Sequence, residues 1–192
     1  MEEIEVKFLN IDVEKTEKKL QEIGAKKVFE RMYKRQTFDY PGLVMDKKGA
    51  WLRLRDEGDK ITLAFKRRLG IETEGDDDGM EEIEIEVSDF ENAKELLLNI
   101  GLKKKGYQEN KRIRYILDDI EFDIDFWPKL EPFLEIEASS WKRVQEGVKL
   151  LGFDYSKKRI FSAQQIYREQ GIDVNDYSEV TFEKMIKRSE KI

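Results

Sequence analysis

Stretch after stretch of this chain sets ionised residues on alternate positions with apolar residues between them. The segment EIEVKF carries Glu3, Glu5 and Lys7 against Ile4, Val6 and Phe8. In WLRLR, Arg53 and Arg55 oppose Leu52 and Leu54; in TLAFK, Lys66 opposes Leu63 and Phe65. EEIEIEV sets Glu82, Glu84 and Glu86 against Ile83, Ile85 and Val87, and KRIRYIL sets Arg112 and Arg114 against Ile113, Tyr115 and Leu117. IEFDIDF places Glu121, Asp123 and Asp125 opposite Phe122, Ile124 and Phe126, and FLEIEA places Glu135 and Glu137 opposite Leu134 and Ile136. A period of two is the signature of a strand with unlike faces.

For any single strand, an antiparallel sheet with one wet face explains this. Two features of the set go further. The polar positions are nearly all Glu, Asp, Arg or Lys, where a wet face mixes in Thr, Ser and Gln. The signs are also segregated, some strands carrying acids and others bases, which places like charges side by side.

A loose repeat accompanies the strands. EIEVKFLNIDVEKTEKKLQEIGAKK resembles EIEIEVSDFENAKELLLNIGLKKK, and LEIEASSWKRVQEGVKLLGF is a third copy. Each reads as strand, cap, helix, glycine. The helix stripes are Val13, Thr16, Leu20, Ile23; Phe90, Ala93, Leu97, Ile100; and Trp141, Val144, Val148, Leu151. That spacing is one apolar helix face. Asp12, Asp89 and Ser140 are the expected N-caps, and Gly24, Gly101 and Gly152 end the helices. Strands are expected near 3–9, 27–40, 49–56, 60–68, 80–88, 104–117, 119–127 and 132–138. DEGDK and LDDIEF read as hairpin turns, and residues 69–79 as an acidic loop. SAQQIYREQG reads as a short helix and SEVTFEKMIKRSEKI as a weak terminal helix or a frayed end.

Three amphipathic helices need an apolar surface to cover. If eight strands close, the helices sit outside and the charged faces line the lumen. The fold expected is therefore α+β, a closed eight-stranded antiparallel β-barrel over 1–155. A helical extension over 156–192 would pack on it. Burying unpaired charge costs several kcal/mol per ion, roughly, so such a lumen has to be hydrated, internally paired or matched to a ligand.

The 192-residue chain has neither cysteine nor histidine. Thiolate, Ser-His-Asp and His-ligated zinc chemistry are thereby excluded, and any metal must take oxygen ligands, as Mg²⁺, Mn²⁺ and Ca²⁺ do. The net charge of −6 argues against nucleic acid as a partner. No apolar run is long enough for a membrane helix and no leader is visible, so the cytoplasm is the expected compartment. Clustered Arg and Lys suit phosphates. Carboxylates beside phosphate call for a divalent cation. No GxxxxGK[ST] phosphate loop is present. The residues point to a metal-dependent site for a small-molecule triphosphate.

EIEVK also matches the ExExK signature of the CYTH superfamily, the triphosphate tunnel metalloenzymes. FDYPG, GAWLRLR, LAFKR, EEIEIEV, KRIRY, FDID and FLEIEA follow in the order of that superfamily, so the resemblance spans roughly residues 3–155. It implies an eight-stranded antiparallel tunnel. It implies divalent-metal binding by Glu3, Glu5, Glu135 and Glu137, with Asp125 assisting. Lys7, Arg53, Arg55, Lys66, Arg112 and Arg114 would grip phosphates. A further C-terminal base would come from Lys157, Lys158 or Arg159, with Lys158 the candidate. Glu82, Glu84 and Glu86 match the central acidic strand, which holds a second metal or positions water. Glu5, Lys7, Arg55 and Glu84 are thus the catalytic candidates.

The superfamily includes triphosphatases and class IV adenylyl cyclases. Hydrolysis is the first expectation and cyclisation of ATP the second; a binding module without turnover is the third. Trp51, Trp127 and Tyr115 are candidate ring-stacking residues, each more often a packing aromatic. A monomer or a homodimer is expected.

Overall fold

The computed structural model describes residues 4–68, 80–160 and 162–189. Its elements are β1 (Glu5–Phe8), α1 (Val13–Glu22), β2 (Lys26–Asp39), β3 (Ala50–Asp56), β4 (Ile61–Arg68), β5 (Met80–Val87) and α2 (Phe90–Asn99). They continue with β6 (Lys103–Leu117), β7 (Ile120–Phe126), β8 (Phe133–Ala138), α3 (Trp141–Leu151), α4 (Ala163–Glu169), β9 (Tyr177–Val180) and β10 (Met185–Lys187). All eight strands expected from alternation form, each within two residues of its expected limits. Among the described residues, no helix is long and apolar enough to cross a membrane.

The described chain falls into two compact units. Among the described residues, the first holds 4–31 together with Asn110–Ile172; the second holds Met32–Glu109 and 173–189. Strands β2 and β6 give one half to each.

In the first unit the strand order is β1-β8-β7-β6-β2, antiparallel along the β1-β8-β7-β6 ladders. The apolar alternates Val6, Ile113, Phe122, Ile124, Leu134 and Ile136 are buried in one core with Leu20 of α1 and Val144 and Val148 of α3. Both helices start where capping was expected: the Asp12 carboxylate accepts from the Lys15 N–H, and Ser140 Oγ accepts from the Arg143 N–H. Gly147 lets α3 approach the sheet. A Cβ there would lie 3.1 Å from methyl groups of Ile120 and Ile136. The segment after α3 returns to the edge of the sheet, where the Lys7 N–H donates to the Arg159 carbonyl (2.8 Å) and the Arg159 N–H to the Lys7 carbonyl (2.9 Å). The short α4 carries a capping box of Ser162 and Gln165. Its Tyr167 hydroxyl donates to the Pro128 carbonyl at 2.5 Å, in the turn between β7 and β8.

The second unit has the order β6-β2-β3-β4-β5, with β9 and β10 added on the other side of β6. Helix α2 begins at Asp89, whose carboxylate accepts from the Asn92 N–H, and its Leu97 is buried with Phe38, Leu54 and Leu102. The cover is thinner here. Ile83 and Ile85 of β5 remain 61% and 56% exposed, and Ile100 at the end of the α2 stripe remains 60% exposed.

The expected α+β antiparallel fold forms, and two details of it differ. First, no ladder joins β1 to β5 among the described residues. The strand path therefore has two ends, and hydrogen bonding does not complete the closed ring expected of a barrel. Second, the extension is not wholly helical. SEVTFEKMIKR forms the hairpin β9–β10 in place of a terminal helix. The backbone of β6 supplies the reason. Tyr107 and Gln108 pair in parallel with Glu179 and Val180, and Val180 and Thr181 become buried. Arg188 then fastens the hairpin by donating to the carbonyls of Tyr177 (3.0 Å), Asn175 (3.2 Å) and Lys105. Tertiary pairing outweighs the weak local preference of such a segment. The acidic loop expected at 69–79 lies outside the described residues, as does Glu3.

Candidate active site

Each unit gathers its charged alternates on one sheet face. In the first unit, register does this directly: Glu5 stands opposite Glu137 and Lys7 opposite Glu135, Asp123 opposite Glu135, and Arg112 and Arg114 opposite Asp125 and Asp123. Carboxylate oxygens of Glu5, Glu135 and Glu137 all lie within 4.8 Å of one another. The Lys7 ammonium inserts among them, hydrogen-bonded to Glu5 and 3.1 Å from Glu135. Arg112 spans the next row. It donates Nη1 to Asp123 at 2.6 Å and Nη2 to Asp125 at 2.6 Å, and it reaches Glu135 at 3.2 Å. Arg114 forks onto Asp123 at 2.7 and 2.6 Å and meets Glu121 at 2.5 Å. The fully buried Asn110 adds an amide donor to Asp125 at 3.3 Å.

The electrostatics follow from crowding. Six carboxylates (Glu5, Glu121, Asp123, Asp125, Glu135 and Glu137) stand with the three cations named here. Burial, and next the Glu135 charge, push the Glu5 carboxyl up to about 8. Burial acts to raise Glu135 as well, but the Lys7 and Arg112 charges outweigh it and hold that carboxyl below the usual range. Burial works against the Lys7 ammonium too. Glu135 and Glu5 overcome it, so the ammonium is held more tightly than in water. Crowding thus favours a proton at Glu5 and charge at Glu135. A surplus of hard oxygen donors around a shared proton is what a divalent cation can replace, and the donor set of three carboxylates without sulfur or imidazole fits Mg²⁺ or Mn²⁺.

The second unit carries the other expected bases. Arg53 reaches Glu82 at 3.3 Å and Glu84 at 3.2 Å. Lys66 reaches Glu82 at 2.8 Å. Arg55 lies 3.6 Å from Glu84, 2.5 Å from Glu57 and 5.3 Å from the centre of the Tyr33 ring. Register accounts for this, since Lys66 pairs with Glu82, and Ala64, between Arg53 and Glu84, pairs with both.

Every expected site residue among the described ones lies on one of these two faces except Lys158. The Lys158 ammonium sits 5.0 Å over the Tyr155 ring. Arg159, not Lys158, is the residue bridged to Lys7; its guanidinium is exposed and donates to the Lys158 carbonyl at 3.4 Å. Of the stacking candidates, Tyr115 is buried in the core with its hydroxyl on Glu17 (2.8 Å). Trp127 is buried edge-on to Tyr167. Trp51 alternates with Arg53 and Arg55 on the charged face and pairs with Lys66. Sequence reasoning gave Asp123 and Glu57 no role. Asp123 stood in the alternation it used; Glu57 extends the period of Arg53 and Arg55 by one step.

The CYTH domain family profile matches residues 1–168. The PH1012 protein of Pyrococcus horikoshii is 26% identical, with 82% of this chain and 94% of that one covered and a TM-score of 0.65. A conserved hypothetical protein of Pyrococcus furiosus is 23% identical, with 84% and 97% covered and a TM-score of 0.67. HpAC1 of Hippeastrum, an adenylyl cyclase candidate described as having a dominant triphosphatase activity, is 18% identical, with 88% and 96% covered and a TM-score of 0.63. No curated protein matches.

Proposed function

We propose, on the premise that the chain belongs to the CYTH domain family, that it is a Mg²⁺- or Mn²⁺-dependent triphosphatase, splitting the terminal phosphate from a small triphosphate. The observation that carries this reading is the trio Glu5, Glu135 and Glu137 within 4.8 Å, with Lys7 inserted among it. The dominant triphosphatase activity described for HpAC1 supports hydrolysis over cyclisation.

Glu5, Glu135 and Glu137 would hold the divalent ion, with Asp125 beside them and Glu3 a further proposed ligand. When bound, that ion supplies charge neutralisation and polarisation of phosphoryl oxygens. The remaining steps belong to side chains. Lys7, Arg112 and Arg114 offset negative charge, Arg guanidinium forks being suited to two oxygens at once. The same reading assigns phosphate oxygens to Arg53, Arg55 and Lys66 and, at the end of the chain's return to β1, to Arg159. Because Lys7, Arg53, Arg55, Lys66, Arg112 and Arg114 are already oriented by carboxylates, little reorganisation is needed as charge develops on the transferred group. Glu84 orients the attacking water and takes its proton. The new P–O bond forms as the bond to the leaving diphosphate breaks, and the diphosphate leaves with its charge against the arginines.

One assay tests the reading. The protein is incubated with Mg²⁺ or Mn²⁺ and, separately, tripolyphosphate, thiamine triphosphate or ATP, and the products are separated. Orthophosphate release, lost on chelation, is expected. Cyclic AMP with pyrophosphate would replace the triphosphatase by a cyclase. Binding without product would replace it by a non-catalytic module.

A further inference from the structure

The turn from β3 to β4, Glu57–Lys60, is closed by the Glu57 N–H donating to the Lys60 carbonyl (2.9 Å) and by the Gly58 N–H donating to Asp56 (2.8 Å). Gly58, Asp59 and Lys60 are exposed, as hairpin turns usually are. Glu57 is not. Its side chain keeps only 8% of its surface. It turns onto the charged face, 2.5 Å from Arg55, and accepts from the Thr62 hydroxyl at 3.3 Å. Thr62 is itself buried and is the cross-strand partner of Arg55. A carboxylate placed there without partners would be costly, so Glu57, Arg55 and Thr62 form one interdependent set.

Arg55 has unequal contacts. Glu57 is close at 2.5 Å, Glu84 is distant at 3.6 Å, and among the described residues the buried Nε–H has no acceptor. We infer that Glu57 is a positioning residue for Arg55. It fixes the guanidinium from the turn side, leaving Nε–H and the nitrogen near Glu84 to take phosphate oxygens. Glu84 is the contact a phosphate displaces, and Glu57 is the contact retained. This rests on the triphosphatase reading, and it adds a residue that reading does not contain.

The test uses the full chain with Glu57→Gln, Thr62→Val, Arg55→Ala and the double variant Glu57→Gln/Arg55→Ala. Readouts are kcat and KM for tripolyphosphate with Mg²⁺, tripolyphosphate affinity by calorimetry, and the Arg55 Nε–H resonance in ¹⁵N spectra. Glu57→Gln should lower kcat/KM by about 10- to 100-fold, the range seen when an orienting partner is removed. Thr62→Val should lower it by a smaller factor in the same direction, which keeps the inference testable should Glu57→Gln not fold. In the Arg55→Ala background, Glu57→Gln should cost almost nothing further in tripolyphosphate affinity. Wild-type kinetics in both Glu57→Gln and Thr62→Val would overturn the inference, as would a Glu57→Gln loss that persists undiminished without Arg55. Should the wild-type protein turn over no triphosphate, the triphosphatase reading fails on its own. The Arg55 resonance then decides for Glu57: a shift in Glu57→Gln supports positioning, and an unmoved resonance refutes it.

Discussion

The two charged faces use one device, alternation along paired strands, and differ in balance. In the first unit acids outnumber the contacting bases, and Asp123 and Asp125 are almost wholly buried beneath Arg112 and Arg114. In the second unit Arg53, Arg55 and Lys66 stand against Glu57, Glu82 and Glu84, three against three, and Glu84 keeps 29% of its side-chain surface. The contrast separates a face whose surplus negative charge invites a metal from a near-neutral face whose cations can exchange carboxylate for phosphate. Buried and half-exposed ion pairs also differ in worth. Breaking a buried network leaves a stranded charge, whereas a half-exposed pair contributes little.

The largest effect should therefore come from Asp125→Ala. Arg112 keeps Asp123 and Glu135, so losing its forked Asp125 partner predicts a loss of about 1–3 kcal/mol in denaturant unfolding, against less than about 1 kcal/mol for Glu84→Ala. Equal losses would break the contrast. Glu5→Gln comes next. It should cut turnover by at least about 100-fold, more than loss of an orienting partner does, while far-UV dichroism and melting temperature stay near wild type. Wild-type rates would remove the metal assignment. Lys7→Met sharpens the point about balance. Without the ammonium between Glu5 and Glu135, Mn²⁺ should bind roughly tenfold more tightly in a calorimetric titration, since a competing positive charge has gone. Weaker Mn²⁺ binding would show that Lys7 organises the trio rather than competing for it.

The smallest effect lies away from both faces. Glu30 is held at about 2 by its hydrogen bonds from Lys111 and Lys27. Its folded value is below the unfolded one, so its contribution is present above the ordinary carboxylate range and fades as pH falls through about 2. Glu30→Gln should cost under about 1 kcal/mol at neutral pH, and the two proteins should converge in stability in strong acid.

The strands and three helices were legible because each buries one face, and burial writes a period of two or of three to four into the chain. Val13–Leu20 and Val144–Leu151 show the helix case, and Leu134–Glu137 the strand case. The β9–β10 hairpin was not legible. Its pairing depends on backbone groups of Tyr107 and Gln108, which leave no trace in the composition of residues 177–187. For the site, alternation named the faces but not the partners. Which acid holds Arg112, and that Arg159 rather than Lys158 stands opposite Lys7, depends on register. Glu57 was hidden by its place in a turn, where charged residues ordinarily face water.

The pairing of β1 with β8 and with Arg159 has a consequence for biosynthesis. Glu5 and Lys7 emerge from the ribosome well before Glu135 and Glu137, and Arg159 comes later still. During translation β1 must wait without its β8 partner, and the carboxylate trio assembles only once β8 has been made. A nascent chain stalled before β8 would therefore carry the ExExK motif with no competent centre.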